Sequence, residues 1–145
     1  MLKNIPSILS PELLKILMEM GHGDEIVIAD GNFPGAANAK RLVRLDGHGT
    51  PEVLDAVLKL LPLDPYVPQP VALMQVVKGD PIVPVIWDKY KTIVEKHENK
   101  AADAGFDMVE RFAFYERAKE AFAVVMTGET ALYANILLKK GVVTE

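Results

Sequence analysis

The stretch Met20–Pro34, MGHGDEIVIADGNFP, decides how the rest of the chain is read. Its centre, Glu25–Ala29 (EIVIA), is a short apolar run rich in β-branched residues. That is the composition of a strand covered on both faces. Gly21 ahead of it is a natural left-handed stop for a preceding helix. Behind it, Asp30 to Asn38 reads as loop, punctuated by Gly31, Pro34 and Gly35. The same stretch poses a chemical question, because it sets His22 between two glycines at the mouth of a buried strand.

Outward toward the N-terminus, Ser10-Pro11-Glu12 is a helix start. Ser10 can cap, proline is preorganised at the first helical position, and Glu12 complements the positive end. Leu13, Leu14, Leu17 and Met18 then recur at helical spacing, which predicts a helix from Pro11 to Met20. Toward the C-terminus, Arg41–Leu45 is a second strand. Thr50-Pro51-Glu52 repeats the helix-start chemistry before VLDAVLKLL, one capping solution used twice rather than an internal repeat. Val71–Val77 is a third strand, Ile86 to about Lys100 an amphipathic helix, Met108–Arg111 a short strand and Phe114–Glu120 a short helix. Phe122–Thr127 and Tyr133–Lys139 are the last two strands.

Strands separated by helical patterns define an α/β protein, a three-layer α/β/α domain with a mixed, mostly parallel sheet. The connection between the last two strands is too short for a crossover helix, so one strand is antiparallel. Ligands of open sheets sit beyond the carboxyl ends of the strands, and Asp30 stands at such an end.

With 145 residues, the chain fits one domain spanning 1–145. Half its residues are hydrophobic and a quarter charged, the balance of an ordinary globular protein. A net charge of −4 gives no general attraction to nucleic acid or anionic membrane surfaces, which need clustered Lys and Arg. The absence of cysteine excludes disulfides, thiolate nucleophiles and thiolate metal sites. MLKNIPSILSPELLKIL, broken by Pro6 and Pro11, reads as neither signal peptide nor membrane span, and the cytoplasm is the plain inference. No metal and no cofactor are expected. The histidines show no ligand spacing, and neither a phosphate-binding loop nor a G-x-S-x-G elbow occurs. His48 reads as a loop residue and His97, in EKHENK, as part of a solvated face.

Two regions remain for chemistry. A histidine such as His22 is the side-chain type suited to taking and returning a proton near neutral pH. From spacing alone the plainer reading, a histidine complementing a helix C-terminus, stands ahead. Asp30 followed by Gly31 also reads as a simple turn. Near the C-terminus, Arg111 and Tyr115 are one helical turn apart, and Tyr133 and Asn135 flank Ala134 on one strand face by period two. Arginine, asparagine and tyrosine suit sugar hydroxyls and C–H faces. The same pattern also fits a sheet edge with a buried tyrosine and a surface arginine.

A resemblance separates these readings. MGHGDEIVIAD with NFP, LDGHGTPEVLDAVLKLLPLDPYV, and ERFAFYERAKEAFAVVMTGETALYANILLKKG together resemble the L-fucose mutarotase family and, more distantly, its D-ribose pyranase relatives. The likeness spans nearly the whole chain and is most distinctive from Arg111 through Tyr115 to Tyr133-Ala134-Asn135 and Gly141. It implies an α/β/α fold, pentameric rings stacked as decamers, and sites shared between neighbouring subunits. It also implies His22 as proton donor and Asp30, Arg111, Tyr115, Tyr133, Ala134 and Asn135 as the monosaccharide-binding residues. Some fucose mutarotases have a histidine where this chain has Asn32, and the ribose relatives have one at the Arg111 position. The resemblance therefore implies an isomerase exchanging the anomers of a free sugar, L-fucose first. A D-ribose pyranase activity and a non-catalytic sugar-binding oligomer are the alternatives.

Overall fold

The computed structural model describes residues 1–144, and these form one sheet between two helical layers. The elements in chain order are α1 (Pro11–Glu19), β1 (Glu25–Ala29), α2 (Gly35–Asn38), β2 (Leu42–Leu45), α3 (Thr50–Leu58), β3 (Val71–Met74), α4 (Ile86–His97), α5 (Asn99–Asp103), β4 (Asp107–Val109), α6 (Arg111–Glu120), β5 (Ala123–Thr127) and β6 (Ile136–Lys139).

The six strands lie in the order β2-β5-β1-β6-β3-β4. β1 pairs in parallel with β5, β5 with β2, and β3 with β4. β6 runs antiparallel to both β1 and β3, so one reversed strand makes the sheet mixed. β5 and β6 do not pair with each other; they flank β1 on its two sides.

After Glu25, the apolar run Ile26–Ala29 divides its side chains between two cores. Ile26 and Ile28 face a cluster with Leu13, Ile16, Leu17, Val53, Leu54, Val57, Tyr90 and Val94, from α1, α3 and α4. Val27 and Ala29 face Phe33, Phe114, Ala118 and Ala121, beneath α6. A strand buried on both faces needs no polar alternation, which is why the sequence shows none.

Several boundaries differ from those the sequence predicts, each for a local reason. Ser10 caps α1, its Oγ accepting from Leu13 N–H at 3.2 Å. The helix nevertheless ends at Glu19, Met20 turns extended, and the left-handed residue is Gly23 (φ 86°) rather than Gly21. Thr50 is the first residue of α3, not its cap. The exposed Gly49 N–H is taken by Glu52 Oε1 at 2.9 Å, and Thr50 N–H by Glu129 Oε2 at 3.3 Å. A short helix, α2, occupies part of the 30–38 segment read as loop. β3 stops at Met74, and the helix expected over 86–100 is two, α4 and α5, divided at Glu98. Arg111 opens α6 instead of closing a strand, because the Glu110 carboxylate accepts from the N–H groups of Phe112 and Ala113 at 2.9 and 3.1 Å. The final strand starts at Ile136, leaving Tyr133 to Asn135 outside it, with Tyr133 in the left-handed region (φ 57°).

Candidate active site at the strand ends

Four chain segments meet at one edge of the sheet. β1 delivers Asp30 past its carboxyl end, and β3 leads into the loop carrying Val77 and Asp80. β4 leads through Glu110 to Arg111, and β6, running the other way, begins just after Asn135. Parallel strands that end beside an antiparallel strand that begins leave a crevice between their connections. A cavity of about 250 Å³ fills it, lined by Asp30, Asn32, Phe33, Met74, Val77, Asp80, Arg111, Tyr115, Leu132, Tyr133 and Asn135. That volume suits a small polar ligand rather than a large cofactor.

Asp30 is buried, and its backbone N–H donates to Asn135 Oδ1 at 2.8 Å. This commits the Asn135 carbonyl and leaves its amide nitrogen to donate toward a ligand. Asp30 Oδ1 accepts from Asn32 N–H at 2.9 Å. Burial pushes the Asp30 carboxyl above its ordinary range, against the N–H groups of Asn32, Phe33 and Ala134 and the Asn135 side chain, which pull it down. Arg111 Nε donates to Tyr115 Oη at 3.0 Å, fixing the guanidinium while its terminal nitrogens stay exposed. Tyr115 stands edge-on to Phe33, ring centroids 5.6 Å apart.

Tyr133 and Asn135 reach the cavity from a turn, not from a shared strand face. The turn is held from behind by α4: Trp87 Nε1–H donates to the Tyr133 carbonyl at 2.8 Å, and Tyr90 Oη lies 2.5 Å from the Ala134 carbonyl and from Thr50 Oγ1. Burial raises the Tyr90 phenol far above its usual range, so it stays protonated as a donor. Ala134 itself is buried and absent from the cavity wall; it contributes backbone, through its carbonyl to Tyr90 and its N–H to Asp30.

His22 lies elsewhere. It precedes β1 whereas Asp30 follows it, and five strand residues at about 3.3 Å each put more than ~15 Å between them. Its Nε2 is 3.1 Å from Oδ1 of the buried Asp64, and its ring centroid is 5.4 Å from that of Tyr66. Burial alone would raise the Asp64 carboxyl, but the Tyr66 N–H and the His22 ring overcome it and hold it below the ordinary range. One chain thus carries two separate polar clusters: a small open cavity, and an exposed histidine backed by a buried carboxylate.

Sequence reasoning missed Asp64 and Asp80, since Leu-Asp-Pro and Gly-Asp-Pro both read as turn chemistry. It also misjudged His97, whose side chain is only 16% exposed and pairs through Nε2 with Asp55 Oδ1 at 2.7 Å. His48 is partly exposed and meets Glu52 at 3.2 Å, as a loop residue would. No group of three or more His, Asp or Glu side chains placed to hold a metal occurs among the described residues.

An α/β/α domain with a small polar cavity at its strand ends, walled by carboxylate, guanidinium, amide and phenol groups, is equipped to bind a polyhydroxylated molecule. Residues 3–143 match the RbsD / FucU transport protein family, and the chain belongs to that family. It is 52% identical to the fucose mutarotase of Homo sapiens, over 97% of this chain and 94% of that one. The structure of the fucose mutarotase from Streptococcus pneumoniae in complex with L-fucose is 53% identical, with a TM-score of 0.92 over 99% of this chain and 100% of that one. Bacillus subtilis RbsD complexed with D-ribose shares the fold at 24% identity, with a TM-score of 0.74 over 99% of this chain and all of that one.

Proposed function

We propose that this protein is a mutarotase, an isomerase that interconverts the α and β anomers of a free monosaccharide, with L-fucose the preferred sugar. Identity above one half, over nearly the full length of proteins named for that activity, is the observation that carries this reading. D-ribose is the second sugar to test. The cavity supplies the binding half. Asp30 accepts from sugar hydroxyls, the Asn135 amide and Arg111 guanidinium donate, and Tyr115 and Tyr133 offer rings and phenols.

Anomer exchange requires the O1–H proton to leave, the C1–O5 bond to break and O5 to take a proton. Rotation about C1–C2 then presents the other aldehyde face, and closure reverses every transfer. A histidine suits both directions near neutral pH, and a general acid or base typically contributes ~10² to 10⁴ in rate. Because His22 stands at the far end of β1, the complete site pairs this cavity with His22 of the partner subunit, its ring oriented by Asp64. Exposed apolar side chains in the cavity wall, Val77 and Leu132, with the exposed Phe112 next in sequence to Arg111, support burial of this rim against another copy. Pentameric rings stacked as decamers are the assembly we expect. No helix among the described residues is long and apolar enough to cross a membrane, and we assign the reaction to the cytoplasm.

One observation favours a second reading: a single chain holds the sugar-binding groups without the histidine, as a non-catalytic binder would. Saturation-transfer NMR between the anomeric protons of L-fucose, beside D-ribose, separates the two. A mutarotase accelerates exchange, and His22→Ala removes the acceleration while keeping much of the sugar affinity. Absence of acceleration by a folded wild-type oligomer with either sugar overturns the enzyme reading.

A further inference from the structure

The mutarotase reading leaves one acidic group in the cavity wall without a role. Asp80 lies in the loop after β3, in the segment Lys78-Gly79-Asp80-Pro81, and its two carboxylate oxygens are separately engaged. Oδ1 accepts from Ile82 N–H at 3.1 Å, closing an Asx turn that shapes the loop. Oδ2 accepts the phenolic proton of Tyr133 at 2.6 Å, the length of a charge-assisted bond. The Tyr133 oxygen also accepts from Val77 N–H at 3.3 Å. The bond to Asp80 raises the Tyr133 pKa, so the proton stays on the phenol. With its hydrogen directed at Asp80 and one lone pair directed at Val77, the phenol has a single acceptor position left for the cavity.

We propose that Asp80 is a positioning residue that locks the Tyr133 phenol as a hydrogen-bond acceptor toward the sugar, so that this wall selects a hydroxyl and rejects an oxygen or fluorine that can only accept. The inference rests on the sugar-binding reading of the cavity. Its consequence is directional. Arg111 and the Asn135 amide donate, Asp30 accepts, and Tyr133, which in isolation could do either, joins the acceptors. A site built to take a hydroxyl hydrogen discriminates strongly against an analogue lacking it, because a desolvated group is then left unpaired.

Asp80→Asn isolates this role. The amide oxygen keeps the bond from Ile82 N–H, which cannot reorient, and the amide NH₂ then faces Tyr133. Two donors cannot meet, so the phenol rotates its O–H into the cavity and becomes a donor. Trp87, the sole tryptophan, bonds to the Tyr133 carbonyl, so its fluorescence reports binding without turnover. The experiment titrates L-fucose and its monodeoxyfluoro analogues into wild type, Asp80→Asn, Tyr133→Phe and the double variant. Anomer exchange is followed in parallel, and circular dichroism melts confirm folding.

Asp80→Asn is expected to weaken L-fucose binding roughly tenfold, as loss of a hydrogen bond to a desolvated group does. Wild type is expected to disfavour one fluoro analogue by a similar factor, and Asp80→Asn to lose that discrimination. In the Tyr133→Phe background Asp80→Asn adds less than about twofold, whereas a purely structural role in the turn persists there. Wild-type affinity and selectivity in Asp80→Asn, or an equal loss with Phe at 133, overturns the role of Asp80 alone. A folded wild type that neither binds nor exchanges L-fucose or D-ribose overturns the sugar reading as well.

Discussion

At the scale of single residues the site depends on side chains with divided duties. Asn135 is 4% exposed and gives its carbonyl to the Asp30 N–H, while its amide faces the cavity. Asn135→Ala orphans a buried backbone donor, which costs about 1–3 kcal/mol. Urea denaturation should show that loss of stability together with weakened sugar binding. Residue identity was the most legible part of the cavity wall. Asp30, Arg111, Tyr115, Tyr133 and Asn135, singled out in the sequence, do line one cavity. Asp80 and Asp64 were not legible, because an aspartate before proline reads as a turn, and only the fold shows that Asp80 meets Tyr133 across 53 residues.

At the scale of elements, caps and close approaches set the geometry. Ser10→Ala removes the side-chain cap of α1 and should lower stability by about 0.5–2 kcal/mol without altering anomer exchange, because α1 does not reach the cavity. Gly128, just past β5, is a stricter constraint: a Cβ there would overlap the Asp46 carbonyl oxygen. Gly128→Ala should therefore shift backbone at the end of β2 and lower the melting temperature by more than the Ser10 variant does. Between α3 and α4, Asp55 is held below its ordinary carboxylate range first by His97 and then by Lys96. A carboxylate whose pKa falls on folding stabilises above its unfolded value, ordinarily 3.8, and that contribution is lost as pH falls through the folded value. Melts from about pH 5 to about pH 2 should show a steeper fall for wild type than for Asp55→Asn. This pair escaped the sequence reading because HENK looks solvated until α4 packs on α3.

At the scale of the whole molecule, the separation of His22 from the cavity means that, on the proposed shared site, catalysis would be a property of the assembly. His22→Ala and Arg111→Ala subunits, each without anomer exchange on its own, should recover part of the wild-type rate when unfolded together and reassembled. Some interfaces then join an intact histidine to an intact cavity. Failure to recover, with mixed oligomers verified by native mass spectrometry, would contradict the shared arrangement. Dilution should abolish exchange at the concentration where the oligomer dissociates, read by analytical ultracentrifugation beside the NMR rate.

Local chemistry was enough to determine the strands, most of the helices and the layered class, because a doubly covered strand such as EIVIA and a Ser-Pro-Glu helix start are written in adjacent residues. The reversal of one strand was legible too, since the short link from β5 to β6 admits no crossover. That β1 lies between those two strands was decided by packing, which lets Ile26 and Ile28 enter one core while Val27 and Ala29 enter the other. The same packing put Arg111 on a helix, bent Tyr133 into a left-handed turn pinned by Trp87 and Tyr90, and set His22 and Asp30 at opposite ends of one strand. Spacing along a chain determines which residues share an element; only the burial of distant surfaces against one another decides which of them share a site.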